Sequence, residues 1–291
     1  TEMGLEITQQ SAMNFLTFIG TSDAQAFHIF GASDERFHVR GGNDLIPQAL
    51  ATRLHDAIEP GHVLEAVDGD ADGYVLSFRA GSASRQLRAQ QVILALPFTL
   101  LRKVRLGVVL PDAKRHAIDT LAYGSNAKLM IGFERRAWRE HHANGASMSD
   151  LAYQTSWETS RKQAGTAGVL TNFTGGAHGI ALGQGSAKQQ AALAVAALDR
   201  VFPGVAAARG NAAEARMHWP SNPWVLGSYA CFQPGDWAAV GGVMGTAVGG
   251  LHFAGEHCSL AAQGFMEGGC ESGEKAALAV LTQRGLTRRQ A

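Results

Sequence analysis

The 291-residue chain is poor in cysteine, has no net charge and holds no long apolar run. Its three cysteines, Cys231, Cys258 and Cys270, are too few for a disulfide framework and lack metal-ligand spacing. A reducing cytoplasm is the expected setting. Twenty-five Lys+Arg balance 25 Asp+Glu, so no nucleic-acid footprint is written into the charge. The pairs Arg135-Arg136 and Arg288-Arg289 read as solvated surface. No stretch approaches the roughly 18 apolar residues of a membrane span. Among 11 histidines and 25 acids there is no Ser-His-Asp order, HExxH motif or carboxylate pair in a motif context. Nothing near the start resembles a strand–GxGxxG–helix unit, the usual diphosphate-binding element. The chain also begins at Thr1, and the expectation is that it is incomplete.

What the chain does have lies near its C-terminus, in residues 251–275, LHFAGEHCSLAAQGFMEGGCESGEK. This reads as a short buried strand, a Gly-Glu turn, a small-residue loop and a glycine-rich helix start. Gly264, Gly268, Gly269 and Gly273 leave one side of that helix almost bare. An interior helical glycine costs up to about 1 kcal/mol, so the cluster needs a reason. Close approach of a flat ligand or another backbone is one; tight helix–helix packing is the plainer alternative. Free N–H groups at the helix start also suit an oxyanion, a phosphate or a carbonyl edge.

The segment FAGEHCSLAAQGFMEGGCESGEKAA resembles the C-terminal FAD-binding segment of the flavin-containing amine oxidase family, which includes monoamine and polyamine oxidases. Gly255-Glu256 and the run Gly264-Phe265-Met266-Glu267-Gly268 carry the likeness. In that family the first pair lies by the ribityl-diphosphate, and the helix start sets N–H groups by the flavin pyrimidine edge. The resemblance covers most of this chain but only the C-terminal two-thirds or so of such an enzyme.

Upstream, AMNFLTFIG reads as a helix and FHVRGG as a strand running into a glycine turn. Asn43 is placed to cap a following helix with Pro47 in its first turn. Leu45, Ile46, Leu50, Leu54 and Ile58 recur at helical spacing and read as core. HVLEAVDGDADGYVLSFRA alternates about a Gly/Asp turn as a hairpin does. QVILALP reads as a short strand buried on both faces. From 112 to 220 the pattern predicts a helix in AKRHAIDTLAYG, strands in NAKLMIGF and AGVLTNFTGG, and a helix in SAKQQAALAVAALDRVFP. A mixed or antiparallel sheet with helices on one face follows, and 239–250 reads as a long glycine-rich loop.

The expected fold is therefore α/β in two interleaved parts. Residues 41–111 and 221–291 belong to a dinucleotide-type FAD-binding domain, incomplete in this chain. Residues 1–40 and 112–220 build an α+β substrate domain.

By residue type alone, Lys128 in an apolar strand is a snorkelling edge residue. The resemblance instead makes it the lysine that holds a water against flavin N5. Trp219, Trp224 and Tyr229, in HWPSNPWVLGSYACFQPG, are equally well ordinary packing of a Pro-containing loop. The resemblance puts Trp219 at the cofactor, Trp224 at the substrate pocket and Tyr229 on one side of an aromatic cage. Phe265 stands opposite, where many relatives have tyrosine. Val63 matches a valine whose backbone holds the adenine; Gly255, Glu256, Gly264, Phe265 and Met266 line the cofactor. Ser228 stands where monoamine oxidases of mammals attach the flavin through cysteine, so the implied FAD is non-covalent.

The implied activity is oxidation of an amine to an imine and then a carbonyl, with oxygen reduced to hydrogen peroxide. An L-amino acid oxidase or a carotenoid-type desaturase on the same scaffold is the enzymatic rival. Lys128 with Tyr229 favours amines over desaturation. A partner domain that binds no FAD is the non-catalytic rival, favoured by the missing GxGxxG. The partners expected are an amine, oxygen and an N-terminal dinucleotide-binding fragment or subunit, with no nucleic acid, membrane or metal.

Overall fold

A computed structural model describes residues 1–19 and 37–286. Local alternation does what the sequence suggests in the first sheet. β1 (His62–Asp70) pairs antiparallel with β2 (Gly73–Ala80), and β2 pairs with β3 (Ala83–Ala89). β3 is almost wholly exposed, and without an apolar alternation nothing in its sequence announces a strand. β4 (Val92–Leu94) follows, and β5 (Arg105–Gly107) runs parallel to β1, giving the order β3-β2-β1-β5.

The second sheet holds β6 (Ala127–Phe133), β7 (Ser147–Met148), β8 (Thr155–Glu158), β9 (Gly168–Thr174) and β10 (Glu214–His218). Its order is β10-β6-β9-β8-β7 and every pairing is antiparallel. Leu129, Ile131 and Leu170 bury one face together with Leu182, Ala194 and Leu198, from the helices Gly176–Leu182 and Ala187–Val201. The longer helix starts where it does because Ser186 and Gln189 form a capping box, Gln189 N donating to Ser186 Oγ at 3.2 Å and Ser186 N to Gln189 Oε1 at 2.8 Å. Lys128 lies opposite Met217 and Phe173 in register. The pleat therefore points all three away from the face that carries Leu129.

β11 (Leu251–Phe253) pairs in parallel with β4, and these two form a sheet of their own. Parallel sheets normally lie covered on both faces. Val92 and Leu94 are buried, but Ile93 is not, so burial on both faces fails at that residue.

Two cores result. One gathers Val67, Val92, Phe98, Phe232 and Phe253; the other gathers Leu129, Ile131, Trp138, Leu170 and Leu198. The helix Asp112–Thr120, expected in the substrate part, gives Ala117 and Ile118 to the first core. The helix Ala12–Phe18 forms as expected. It leans on the first-core side through Asn14, whose Nδ2 donates to Phe232 O at 2.7 Å.

Residues 37–53 depart furthest from the sequence pattern. FHVRGG forms no strand; Gly42 N donates to Val39 O and closes a turn instead. Asn43 does not cap the helix Leu45–Arg53, because its Oδ1 accepts Val39 N at 2.9 Å. Leu45, Ile46, Leu50, Leu54 and Ile58 are not core: each is 40–54% exposed. Fully burying such a side chain contributes roughly 1.5–3 kcal/mol, so at half exposure each forgoes about half of that. The periodicity marks an apolar face correctly, but among the described residues nothing covers it.

Candidate active site

Tyr229 is placed by a short ladder at the mouth of the second sheet. Gly124 N donates to Tyr229 O at 2.9 Å and Ser228 N to Gly124 O at 2.8 Å, beside a bridge between Tyr123 and Ala230. The chain then runs directly into β6, whose second residue is Lys128. Ser228 Oγ donates to Asn126 Oδ1 at 2.6 Å, and the Tyr229 hydroxyl donates to the carbonyl of Glu2.

The other half of the site comes from the 251–275 segment. Gly255 adopts φ +140° and Gly264 φ +83°, both in the region that favours glycine. Ser272 Oγ accepts Gly255 N at 2.9 Å and donates to Gly255 O at 2.8 Å, which seats the Gly-Glu turn on the helix Met266–Gln283. A Cβ added to Gly264 would lie 3.7 Å from the Tyr229 ring, so the turn carrying Phe265 rests against that ring. Glu256 joins the halves: Oε1 accepts Ala230 N at 2.9 Å and Oε2 accepts Gly264 N at 2.8 Å. Burial pushes the Glu256 carboxyl above its ordinary value, and the two N–H bonds oppose that.

The glycine cluster has two explanations. A side chain on Gly268 would overlap the Ala262 carbonyl, so this glycine answers to close backbone packing. Gly269 and Gly273 have open space beside them. Met266 opens the helix and is mostly exposed.

Lys128 lies beside a pair of packed rings, its Nζ 5.6 Å from the centroid of Trp157 and 5.4 Å from that of Phe173, which are 5.8 Å apart. Sequence reading missed Trp157 and Phe173. The signal was there in their strand positions, but only the register of β8, β9 and β6 brings them beside the lysine.

Val63 lines a cavity of about 620 Å³ with Leu64, Phe78, Ile93, Leu94 and Trp224. β5 pairs with β1 only over residues 66–68, so Val63 lies beyond that pairing. Trp224, expected at the substrate pocket, lines the same cavity as Val63. The cause is a tether: Thr99 Oγ1 donates to Val225 O at 2.5 Å, pinning the loop beside the helix Phe98–Leu101. Trp219 sits half-buried in the turn Trp219–Ser221 that ends β10.

Behind the Gly-Glu turn, His257 packs on Phe98 with ring centroids 4.5 Å apart, its Nε2 without a partner. Burial, aided by the Lys114 charge, pulls it down to about 4. Lys114 donates to Val243 O and Met244 O, both at 2.6 Å, with its Nζ 4.0 Å from the Phe253 ring centroid. Burial lowers it to about 8. Nothing in the sequence marks this lysine as buried.

The α/β scaffold thus carries a glycine-rich helix start, two aromatic-bearing segments joined through Glu256, and a separate cavity by Val63. A profile of the flavin-containing amine oxidoreductases matches residues 5–281, and the chain belongs to that family. It is 27% identical over 282 residues to an L-amino acid dehydrogenase of Synechocystis sp., covering 93% of this chain and 58% of that protein. It is 24% identical to the flavin-containing amine oxidase A of Equus caballus, over 95% of this chain and 53% of that protein. The solved cyclohexylamine oxidase of Brevibacterium oxydans shares its fold, with a TM-score of 0.77 at 20% identity over 97% of this chain and 62% of that one. The chain spans about half the length of the curated relatives it matches.

The family's cofactor is FAD, and the residues present fit it. The Val63 cavity is apolar enough for a planar base, and the side of the helix at Gly269 and Gly273 is open.

Proposed function

We propose that this chain carries the substrate slot and the flavin-ring side of an FAD-dependent amine oxidase. The observation that carries the reading is the meeting of the Tyr229 loop with the Gly264–Phe265 turn, two aromatic-bearing segments distant in sequence. When bound, FAD supplies the two-electron acceptor for the amine C–H. Tyr229 and Phe265 flank a slot that holds the neutral amine, with its nitrogen lone pair available. Lys128 holds a water by the slot, and its charge favours the reduction of oxygen. The imine released hydrolyses to a carbonyl compound, and oxygen leaves as hydrogen peroxide.

Val63, Trp219, Gly255, Gly264 and Met266 hold the cofactor without a covalent bond. The thiols support this: burial pushes both Cys231 and Cys258 up to about 12, far from a reactive thiolate. α-Amino acids are the second reading, favoured by the name of the Synechocystis relative. The diphosphate is held by a dinucleotide-binding unit that packs on β4, β11 and the exposed stripe of Leu45–Arg53. Support for that partner is the two-stranded parallel sheet and the uncovered leucines.

Adding amines and L-amino acids without oxygen to the protein loaded with FAD together with its dinucleotide-binding unit should bleach the flavin, and admitting oxygen should restore its colour with release of peroxide. A flavin that no amine or amino acid bleaches sinks this reading.

A further inference from the structure

Resting on the amine-slot reading above, we propose that Glu256 sets the width of the slot, its carboxylate acting as a strut between the Tyr229 loop and the Gly264–Phe265 turn. Ala230 directly follows Tyr229 and Gly264 directly precedes Phe265, so the two N–H groups that Glu256 receives flank the two ring-bearing positions. Each carboxylate oxygen takes one of them, at 2.9 and 2.8 Å. An ionised carboxylate accepts such bonds strongly and offers no donor to oppose them. Both oxygens thus reach backbone on either side of the slot, and through them this side chain ties the two loops together. Ser272 fixes the same turn to the helix from the other side, which makes the strut's anchor rigid. Glu256 is thus a positioning residue that acts through Tyr229 and Phe265.

The variant Glu256→Gln keeps the shape but replaces one acceptor with an amide donor that faces a backbone N–H. In the FAD-loaded enzyme its amide hydrogen exchange at Ala230 or Gly264 should rise about tenfold. The rate at which saturating amine bleaches the flavin should fall about tenfold or more, since small misplacements in a reacting pair are costly, while the FAD dissociation constant stays within about threefold. Glu256→Asp keeps the charge but is one methylene too short to reach both N–H groups. It should show the same pattern, and decides the matter if the glutamine variant does not fold. Unchanged exchange at both amides overturns the proposal. So does an FAD affinity weakened about tenfold with an unchanged bleaching rate in the bound fraction, which would assign Glu256 to the cofactor instead. If no amine bleaches the wild-type flavin, the slot reading fails on its own, and the exchange measurements still decide whether Glu256 ties the loops.

Discussion

His257 and Lys114 lie buried by the first core with no ion pair to a carboxylate among the described residues, His257 only 2% exposed and Lys114 1%. Both are bases depressed by burial. For His257 the unfolded chain takes up a proton near the ordinary 6.5 while the folded one waits until about 4. Stability present above pH 6.5 is therefore lost progressively as pH falls towards 4, by roughly 3 kcal/mol at most. His257→Phe, which keeps a ring against Phe98, should lose correspondingly less across that window. Urea midpoints of the two proteins at pH 7 and pH 4.5 give the comparison; parallel curves would show that His257 contributes nothing to acid sensitivity. Lys128 sits in the opposite situation, exposed beside the packed Trp157 and Phe173 rings. Lys128→Met should slow reoxidation of the flavin by oxygen on the order of a hundredfold, with amine-driven reduction much less affected. Rapid mixing separates the two half-reactions, and equal losses in both would reject the oxygen role.

At the scale of elements, the pieces legible in sequence are those whose residues carry their own instructions. The hairpin of β1 and β2, the strands β6 and β9 and the helix Ala187–Val201 all follow from alternation or a cap. Ser186→Ala removes the capping box and should cost about 1 kcal/mol, read as a drop of a few degrees in Tm by calorimetry. An unchanged Tm would mean that tertiary packing alone holds that helix start. β3 was illegible because its exposed strand shows no apolar alternation. The 37–42 segment misled for the converse reason: its apolar residues alternate like a strand, but Asn43 turns back to Val39 and ends it.

The whole molecule shows an imbalance that no single element reveals. Among the described residues, a parallel pair of strands forms a sheet by itself, and a five-residue apolar stripe on Leu45–Ile58 lies open. Surface of that kind marks an interface or an aggregation hazard. Residues 1–291 alone should bind a hydrophobic dye strongly and FAD weakly, and adding a dinucleotide-binding unit should suppress the first and restore the second. Titration of FAD by flavin-fluorescence quenching measures it. A soluble monomer that binds FAD at micromolar affinity without such a unit would refute this.

Amino-acid order alone specified the family and most element types, because helix and strand periods and the glycine-rich segment are local properties of the chain. It could not show that Trp224 and Val63 line one cavity, that Lys114 is buried, or that the Trp157–Phe173 pair lies beside Lys128. Those depend on sheet register and on loop tethers that join residues far apart in the chain. Glu256 is the sharpest case. Its sequence neighbours mark a cofactor turn, but its two hydrogen bonds reach 26 residues back and eight forward. A side chain's partners are set by which backbones the fold brings within 3 Å of it, and no periodicity in the chain encodes that distance.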